Sequence, residues 1–487
     1  MTITAHPVRP RQAADPILGL LQCPRCGGAL AGALACTACG APVRLHDGIL
    51  DFVAGAAATQ LDAIDYDQFY AIDEDHARVT YDDIVIAAGA LWRNDLGDAL
   101  EIGCGTGGFS MAALTRMQAS RVLLTDVSLK MLAACRQRLQ RMPSLHAQAV
   151  GYAAYSGQED CFRAEAFDTC FGTAVVHHVL DVPRFLGQVH RLLKPGGVAF
   201  FMEPNGHFHH ALTATLAEVL ADWLRQGSVA HPDLNRMLNW MAEVHCNVTN
   251  SGDLQVLAER EDKHQFTSVG FEAMAAAAGF TMARALACGA DRTGGETILA
   301  YLQQVGVSAE TLRRVRVAWG SGRNPRFAAL APHDSAPSYL FWLEKGAAAH
   351  RIAATPAQAA PPARGTEAPP RLWLMLTLHQ GSKDPELAVD GWCVAEAPVR
   401  AVELTLLGRH IRMPVWRPRP DVQAAVNANG AYPPLHALCS GINGRIVLEG
   451  IPAQPVQVAV HLVAGGETRL PRGIVTLQPG GEGQLIQ

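Results

Sequence analysis

The sequence predicts an α/β protein built on a parallel sheet, preceded by a small cysteine knuckle and followed by a β-sandwich. Three observations predict it. Apolar strand-like runs alternate with helical patterns from residue 60 to about 346, the order of a parallel α/β sheet. Two C-x-x-C pairs stand near the start of the chain. After an Ala/Pro-rich stretch, the sequence turns to short β-rich runs broken by Gly and Pro, the pattern of an antiparallel sandwich.

The bulk numbers bound the rest. A chain of 487 residues exceeds what one core supports. Hydrophobic residues make up 49% and charged residues 17%, a globular balance. A net charge of −5 gives no electrostatic reason to expect nucleic acid as a partner. No apolar run reaches the length of about 18 residues that a membrane span needs. Residues 1–16 hold arginines and prolines but no apolar signal core, so a cytoplasmic location is expected. Of twelve cysteines, four are clustered and eight are scattered singly, unlike a secreted disulfide scaffold.

Residues 1–20 read as a flexible tail. Residues 21–55 hold Cys23, Cys26, Cys36 and Cys39, two C-x-x-C pairs nine residues apart. Four thiolates satisfy a tetrahedral zinc ion and leave no open position, so the expected role is structural. Gly27 and Gly40 follow the two pairs and permit the positive φ that turns both sulfurs to one ion. With so little core of its own, this segment draws much of its folding energy from the metal. The surrounding text, from Leu20 to Phe52, resembles the zinc ribbons of the Trm112 type, which stand at the start of bacterial methyltransferases.

The run from Ala99 to Phe109 carries the most information. An apolar strand ends in Glu101, passes through a turn with Gly103, Gly105 and Gly107, and enters a helix. Glycines there let a ligand lie against the backbone, and the helix start offers amides. About twenty residues on, a second strand ends in Asp126, where a carboxylate accepts hydrogen bonds from both hydroxyls of a ribose. The 166–172 run reads as a buried strand. Residues 192–201 give a helix end, a Pro-Gly-Gly turn and another buried strand.

This series, from about residue 64 to 286, resembles the class I S-adenosylmethionine (SAM)-dependent methyltransferases. The matching motifs are E-I-G-C-G-T-G-G, the Asp126 strand end, F-D-T-C-F-G-T-A-V-V-H-H-V-L-D and R-L-L-K-P-G-G. The resemblance implies a Rossmann-like seven-stranded sheet with a last, antiparallel strand, and SAM as cofactor over the ends of the first strands. It implies Glu101, Gly103 and Gly105 near the methionine part of SAM, with Gly107 in the same loop and Asp126 near the ribose. Val127 and Met131 flank the adenine. Tyr152 stands where the family commonly has an acidic residue, so stacking or a backbone contact replaces that adenine contact.

Methyl transfer is an in-line attack on a sulfonium methyl, and the acceptor must be held and sometimes deprotonated. His177 and His178 follow the fourth strand of this series and are the candidate bases; the alternative is a His-His shell of the cofactor pocket. The 207–262 stretch is long for a connection and holds helical runs, expected as an insertion over the acceptor. Trp223, Trp240 and Met241 line it or are plain core. Tyr66, Phe69 and Tyr70 either cover the cofactor or form a packing stripe. Arg313, Arg314, Arg316, Arg323 and Arg326 make a basic run, read as a solvated face over a phosphate site.

Residues 347–370 read as an Ala/Pro-rich linker, and 371–480 as the sandwich. Val389-Asp390-Gly391-Trp392 and Arg417-Pro418-Arg419-Pro420-Asp421-Val422 resemble an immunoglobulin-like module of bacterial surface-polysaccharide enzymes. That resemblance implies a sugar or glycan-precursor acceptor. The alternative is a docking surface for a protein partner. The leading expectation is methylation of an oxygen or nitrogen of a sugar, glycan precursor or other small molecule. Two others stand beside it: an RNA methyltransferase clamping through the zinc ribbon, and a non-catalytic assembly module. Arg25 and Arg44 are the only Arg or Lys residues of 21–55, which argues against the clamp.

Overall fold

The protein is represented by a computed structural model. It describes residues 14–31, 34–53, 73–227, 231–249, 257, 260–289, 291, 293–320, 325–346, 369–379, 385–397, 399–415, 417–448, 454–464, 468–478 and 480–486. Tyr66, Phe69, Tyr70, Arg323 and nearly all of the 347–370 linker lie outside the described residues. The chain divides into two compact units. The first comprises Met1–Asn205, Phe266–Ala290 and Pro332–Ala354; the second comprises Gly206–Gln265, Asp291–Ala331 and Thr355–Gln487.

The first unit is built on one sheet. Its strands are β1 (Arg44–His46), β2 (Ile49–Asp51), β3 (Asp98–Ile102), β4 (Ala119–Asp126), β5 (Ala147–Ala154), β6 (Phe167–Thr173), β7 (Leu193–Pro204), β8 (Met282–Cys288) and β9 (Ser338–Glu344). They lie in the order β1-β2-β5-β4-β3-β6-β7-β9-β8. The strands from β2 to β7 in that order run parallel, and β9 is antiparallel to both β7 and β8. The central strands are apolar on both faces because helices cover both: all five residues of β3 are buried. That double burial turns an alternating pattern into a continuous apolar run.

The sheet has nine strands, not the expected seven. The seven from β3 to β9 include the antiparallel last strand. The other two are a hairpin of the cysteine segment, paired through Leu50 with Ala153 and Asp51 with Ala154. The hairpin satisfies backbone polar groups at the last two residues of β5. The expected tail, residues 1–20, is corrected from residue 14 on, and residues 1–13 lie outside the described residues. Residues Ala14–Leu18 form a helical turn, and Ile17, Leu18 and Leu20 are buried. Gly151 leaves room for Ile17, which would lie 3.0 Å from an added Cβ. Arg121 donates to the Pro16 carbonyl at 3.1 Å.

A charge network closes the sheet at the ends of its strands away from the glycine turn. Asp98 pairs with Arg121 at 2.6 Å and with Lys194 at 3.0 Å, and Lys194 also meets Asp168 at 2.7 Å. The lysine of the R-L-L-K-P-G-G motif is thus structural.

The second unit combines helices with a β-sandwich. Helices Gly206–Arg225 and His231–Thr249 fill the expected insertion. Three more, Gly295–Gln304, Ala309–Trp319 and Pro325–Ala328, come from the 291–331 stretch, which the sequence reading left unassigned. Trp223, Trp240 and Met241 are buried in their common core with Phe208, Leu216 and Leu302. Those residues therefore follow the plain packing alternative. Of the arginine run, Arg314 stacks over Trp223 at 4.4 Å, Arg316 faces Glu296 at 3.7 Å, and Arg326 pairs with Glu218. Those partners fit a solvated, ion-paired face.

The sandwich contains β10 (Arg371–His379), β11 (Glu386–Val394), β12 (Val399–Leu406), β13 (Arg409–Pro414), β14 (Gly441–Val447), β15 (Val456–Ala464), β16 (Thr468–Leu477) and β17 (Glu482–Ile486). They form two four-stranded antiparallel sheets, β14-β11-β10-β17 and β13-β12-β15-β16. Alternate residues such as Leu372, Leu374 and Leu376 meet Val458, Val460 and Leu462 in one core. Leu435 and Leu438, from the segment before β14, are buried in the helical core beside Leu212 and Leu220. The sandwich and the insertion helices therefore share hydrophobic surface within this unit.

Candidate functional site

The glycine turn lies where β3 meets the helix Gly108–Leu114. Gly103, Gly105 and Gly107 all have positive φ, at 69°, 53° and 86°. The resemblance gives these glycines to the cofactor turn, and packing within the chain demands a missing side chain at two of them as well. A Cβ on Gly103 would fall 2.2 Å from the Val175 side chain, and one on Gly107 would fall 2.7 Å from Cys135 Sγ. These glycines are demanded by the backbone and by neighbouring side chains of the protein itself.

Asp126 closes the turn from the next strand. Its Oδ2 accepts the Gly105 amide at 2.9 Å, and its Oδ1 accepts the Ser128 amide at 2.9 Å. The carboxylate is therefore at the glycine turn, at the end of β4. Val127 is half-buried. Met131 is buried, and its amide donates to Ser128 Oγ at 3.2 Å, the cap of helix Leu129–Gln140.

Glu101 is 1% exposed. Ser110 Oγ donates to its Oε2 at 2.6 Å. Burial pushes the Glu101 carboxyl up to about 8, partly offset by that hydrogen bond and reinforced by the nearby Asp126 charge. Such a group sits near the balance point between its neutral and charged forms at physiological pH, and a cation beside it would tip it to the charged one.

Tyr152 lies within β5, opposite Leu124, rather than at the strand end. Burial, then the proximity of Cys135 and Cys104, raises its phenol. Level with Asp126 is Ala154. The polar groups that follow are Ser156 and Glu159, where Ser156 donates through its amide at 2.8 Å and its hydroxyl at 2.7 Å. The first acidic residue past this strand is Glu159, five residues beyond the strand end, followed by Asp160.

His177 and His178 lie on a 3₁₀ turn, Val176–His178, just past β6. Their rings are 4.0 Å apart, tilted by 46°. His177 is buried, and its Nδ1 is 2.7 Å from Glu203 Oε2. Glu203, near the end of β7, also receives the amides of Val175, Val176 and His177. Glu203 is a site residue that the sequence analysis does not single out. The available signal was an acidic residue closing the apolar run Phe200–Met202, as Glu101 lies within the apolar run of β3.

The cysteine segment folds as two like knuckles. The Gly27 amide donates to Cys23 O at 2.8 Å and the Gly40 amide to Cys36 O at 2.9 Å. Both glycines have positive φ, 71° and 69°, as their place after each pair predicts. The ligand atoms of Cys23, Cys26, Cys36 and Cys39 all lie within 4.8 Å of one another. Cys23 and Cys39 sulfurs are 3.7 Å apart, and Cys26 and Cys36 sulfurs 3.4 Å. Thiolates bound to zinc at about 2.3 Å form a tetrahedron with edges of about 3.8 Å, so the set fits such an ion. The Cys39 amide, then that of Ala38, pulls the Cys36 thiol down to about 6, favouring the thiolate that binds metal. The knuckles rest on the sheet core: Phe52 meets Phe162, and the Gln22 amide donates to Cys161 O at 2.9 Å.

Residues 100–199 match a family profile described as a methyltransferase domain. The chain carries a SAM-dependent methyltransferase domain. The ubiquinone biosynthesis O-methyltransferase of Rhizobium etli is 33% identical over 142 residues, 28% of this chain and 53% of that protein. The malonyl-[acyl-carrier protein] O-methyltransferase of Serratia marcescens is 34% identical over 102 residues, 21% of this chain and 36% of that protein. The chain thus spans about half the length, or less, of these curated relatives. Phosphoethanolamine N-methyltransferase 2 of Haemonchus contortus, solved with SAM, is 16% identical with a TM-score of 0.34, covering 59% of each chain. At that score the likeness carries nothing further. The matched stretch of the methyltransferase domain holds the glycine turn, Asp126 and both histidines; Glu203 lies just beyond it. Among the described residues, no helix is long and apolar enough to cross a membrane.

Proposed function

We propose that this chain transfers a methyl group from SAM to an oxygen or nitrogen of a small molecule, a sugar or glycan precursor in the first instance. The carrying observation is the Asp126 carboxylate held against the Gly105 amide at 2.9 Å, at the strand ends where open α/β sheets bind nucleotides. When bound, SAM supplies an electrophilic sulfonium methyl that an acceptor attacks in line. Asp126 would hold the ribose, with Val127 and Met131 beside the adenine. Glu101 faces the cationic methionine end. The His177–His178 pair removes the acceptor's proton. The names of the relatives, both O-methyltransferases, favour oxygen as the acceptor atom. The sugar class rests on the resemblance of the C-terminal module to those of polysaccharide enzymes. The four cysteines hold a structural zinc ion.

The test is transfer of a radiolabelled methyl group from SAM across sugar nucleotides, lipid-linked glycans, phenols and RNA. Label in a sugar or phenol supports the reading. Label in RNA alone, or none in any class while SAM still binds, overturns it.

A further inference from the structure

Two motifs of the sandwich have no role in the site above, and the fold brings them together. Val389, Asp390, Gly391 and Trp392 lie in β11. From residues 417–422, Arg419 donates to Gly391 O at 3.0 Å and holds Asp421 through two further bonds, at 2.8 and 2.7 Å. A Cβ on Gly441 of β14 would lie 2.8 Å from Arg417 and 2.9 Å from Arg419. Trp392 packs on Val394, Tyr432 and Ala437. Residues 417–437 therefore form a ridge at one end of the outer face of the sheet β14-β11-β10-β17.

Beside that ridge the face is aromatic. Residues directly opposite one another in an antiparallel pair share a face, with Cβ atoms about 4.5–5.5 Å apart. Trp392 is opposite Trp373, and Trp373 is opposite Ile486. One apolar row thus crosses three strands, about 10 Å. Both indoles are half-buried, and Ile486 is 68% exposed. The next row on the same face, about 7 Å along the strands, is Asn443, Asp390, Met375 and Gln484. Its three polar members are exposed. Asn443 Nδ2 stands 3.4 Å from Asp390 Oδ1, a loose contact that leaves both groups capacity for a ligand.

We propose that this face binds a glycan: uncharged sugar rings lie with their C–H faces on Trp373 and Trp392 and their hydroxyls toward Asp390, Asn443 and Gln484. A sugar ring has an apolar face and a hydroxyl rim, and the sheet offers the same order, an aromatic row and then a row of acceptors and donors. Asp390 stands in the middle of the face, where its charge repels a polyanion such as nucleic acid. A stable contact with a second copy takes about 20–30 residues a side, whereas the apolar part of the described face is one row and Met375. Glycan binding needs no methyl transfer and goes beyond the reading above. If the acceptor is part of a glycan, the face raises its effective concentration for the same chain.

The experiment runs the full chain in native gels cast with mannan, dextran or galactan, and with alginate as the charged comparison. Wild type should be retarded by at least one neutral polysaccharide, and less by alginate. Calorimetry with oligosaccharides of the retarding polymer gives the affinity. Trp373→Ala should weaken it about ten-fold or more, and Asp390→Ala and Asn443→Ala about three- to ten-fold each. Trp373→Tyr, which keeps an aromatic ring, should stay within about three-fold of wild type. Melting curves accompany each variant, and the exposed Asn443→Ala reads the site if Trp373→Ala does not fold. No retardation of wild type by any neutral polysaccharide overturns the inference, as does retardation unchanged in Asp390→Ala and Asn443→Ala. Stronger retardation by alginate overturns it in favour of an anion site. A concentration-dependent dimer in sedimentation that Ile486→Glu dissolves gives the face to a second copy instead. S-adenosylhomocysteine binding is read in parallel: a wild type that binds glycan without it loses the methyl-transfer reading and keeps this one.

Discussion

The side chain of Asp126 and the backbone of Gly105 are joined by a 2.9 Å hydrogen bond across the mouth of two parallel strands. One carboxylate oxygen holds the turn, and the other holds the Ser128 amide that starts the next helix. Removing the group takes away both restraints as well as any contact with a ribose. Asp126→Ala is expected to weaken SAM binding by about 10- to 100-fold, as read by calorimetry. Asp126→Asn, which keeps one oxygen acceptor, should fall between. Affinity unchanged in both variants removes Asp126 from the site.

Gly103→Ala should destabilise the protein even with no cofactor present. The substitution places a Cβ 2.2 Å from Val175 at a φ of 69°. The contact and the backbone strain together should lower the melting temperature by about 5 °C or more. Val175→Ala in the same chain should restore part of that loss by emptying the space. A double variant no more stable than Gly103→Ala would show that the strain is in the backbone alone.

Glu101 couples stability to pH. Its carboxyl is raised by burial from the ordinary value of 4.5 to about 8 in the folded chain. Between those values the folded state binds more protons than the unfolded one, so stability falls as pH rises from about 5 to 8. Above the folded value the slope from this group vanishes. Chemical denaturation at a series of pH values should show this decline in wild type and a flatter profile in Glu101→Gln. If the carboxylate faces the cationic end of SAM, binding at pH 7 should release a proton. Calorimetry in buffers of different ionisation enthalpy measures that release; its absence puts Glu101 elsewhere.

The cysteine knuckles should carry one zinc ion per chain by elemental analysis. Chelation, or Cys36→Ser, should lower the melting temperature of the first unit, because Phe52 and Leu21 share a core with Tyr155 and Phe162. SAM affinity should fall along with it, since Tyr155 follows β5 directly and its amide donates to Asp126 O at 2.9 Å. A chelated protein that melts and binds unchanged would show that the sulfurs hold no metal of consequence.

Much of this was legible in the sequence. The strand–glycine turn–helix at Ala99–Leu114 and the Asp126 strand end are local patterns, set by burial on both sheet faces and by residues within a few positions. What stayed hidden depends on distant packing. Nothing in Gly103 announces that Val175 will lie against it, some seventy positions on. Glu203 acquires its partners only when β6 and β7 are side by side. Tyr152 stands where the family commonly has an acidic residue, but β5 continues past it to Ala154 in register with Asp126, a length that its pairing with β4 sets. The helices of 291–331 stay unassigned because their apolar faces match a core formed with residues from about fifty to more than a hundred positions earlier.

The hairpin of the cysteine segment has one more consequence. By laying β2 along β5 it hides what would otherwise be the raw border of a long parallel sheet, the kind of border that recruits strands from other molecules. The new border, β1, is only three residues long, about half exposed, and carries Arg44 and His46, both poor partners for such recruitment. If a zinc ion holds the knuckles, as proposed, its removal would uncover that end of the β5 border once the hairpin lets go. Metal scarcity would then be felt first as self-association of the chains, before the remaining strands of the sheet come apart.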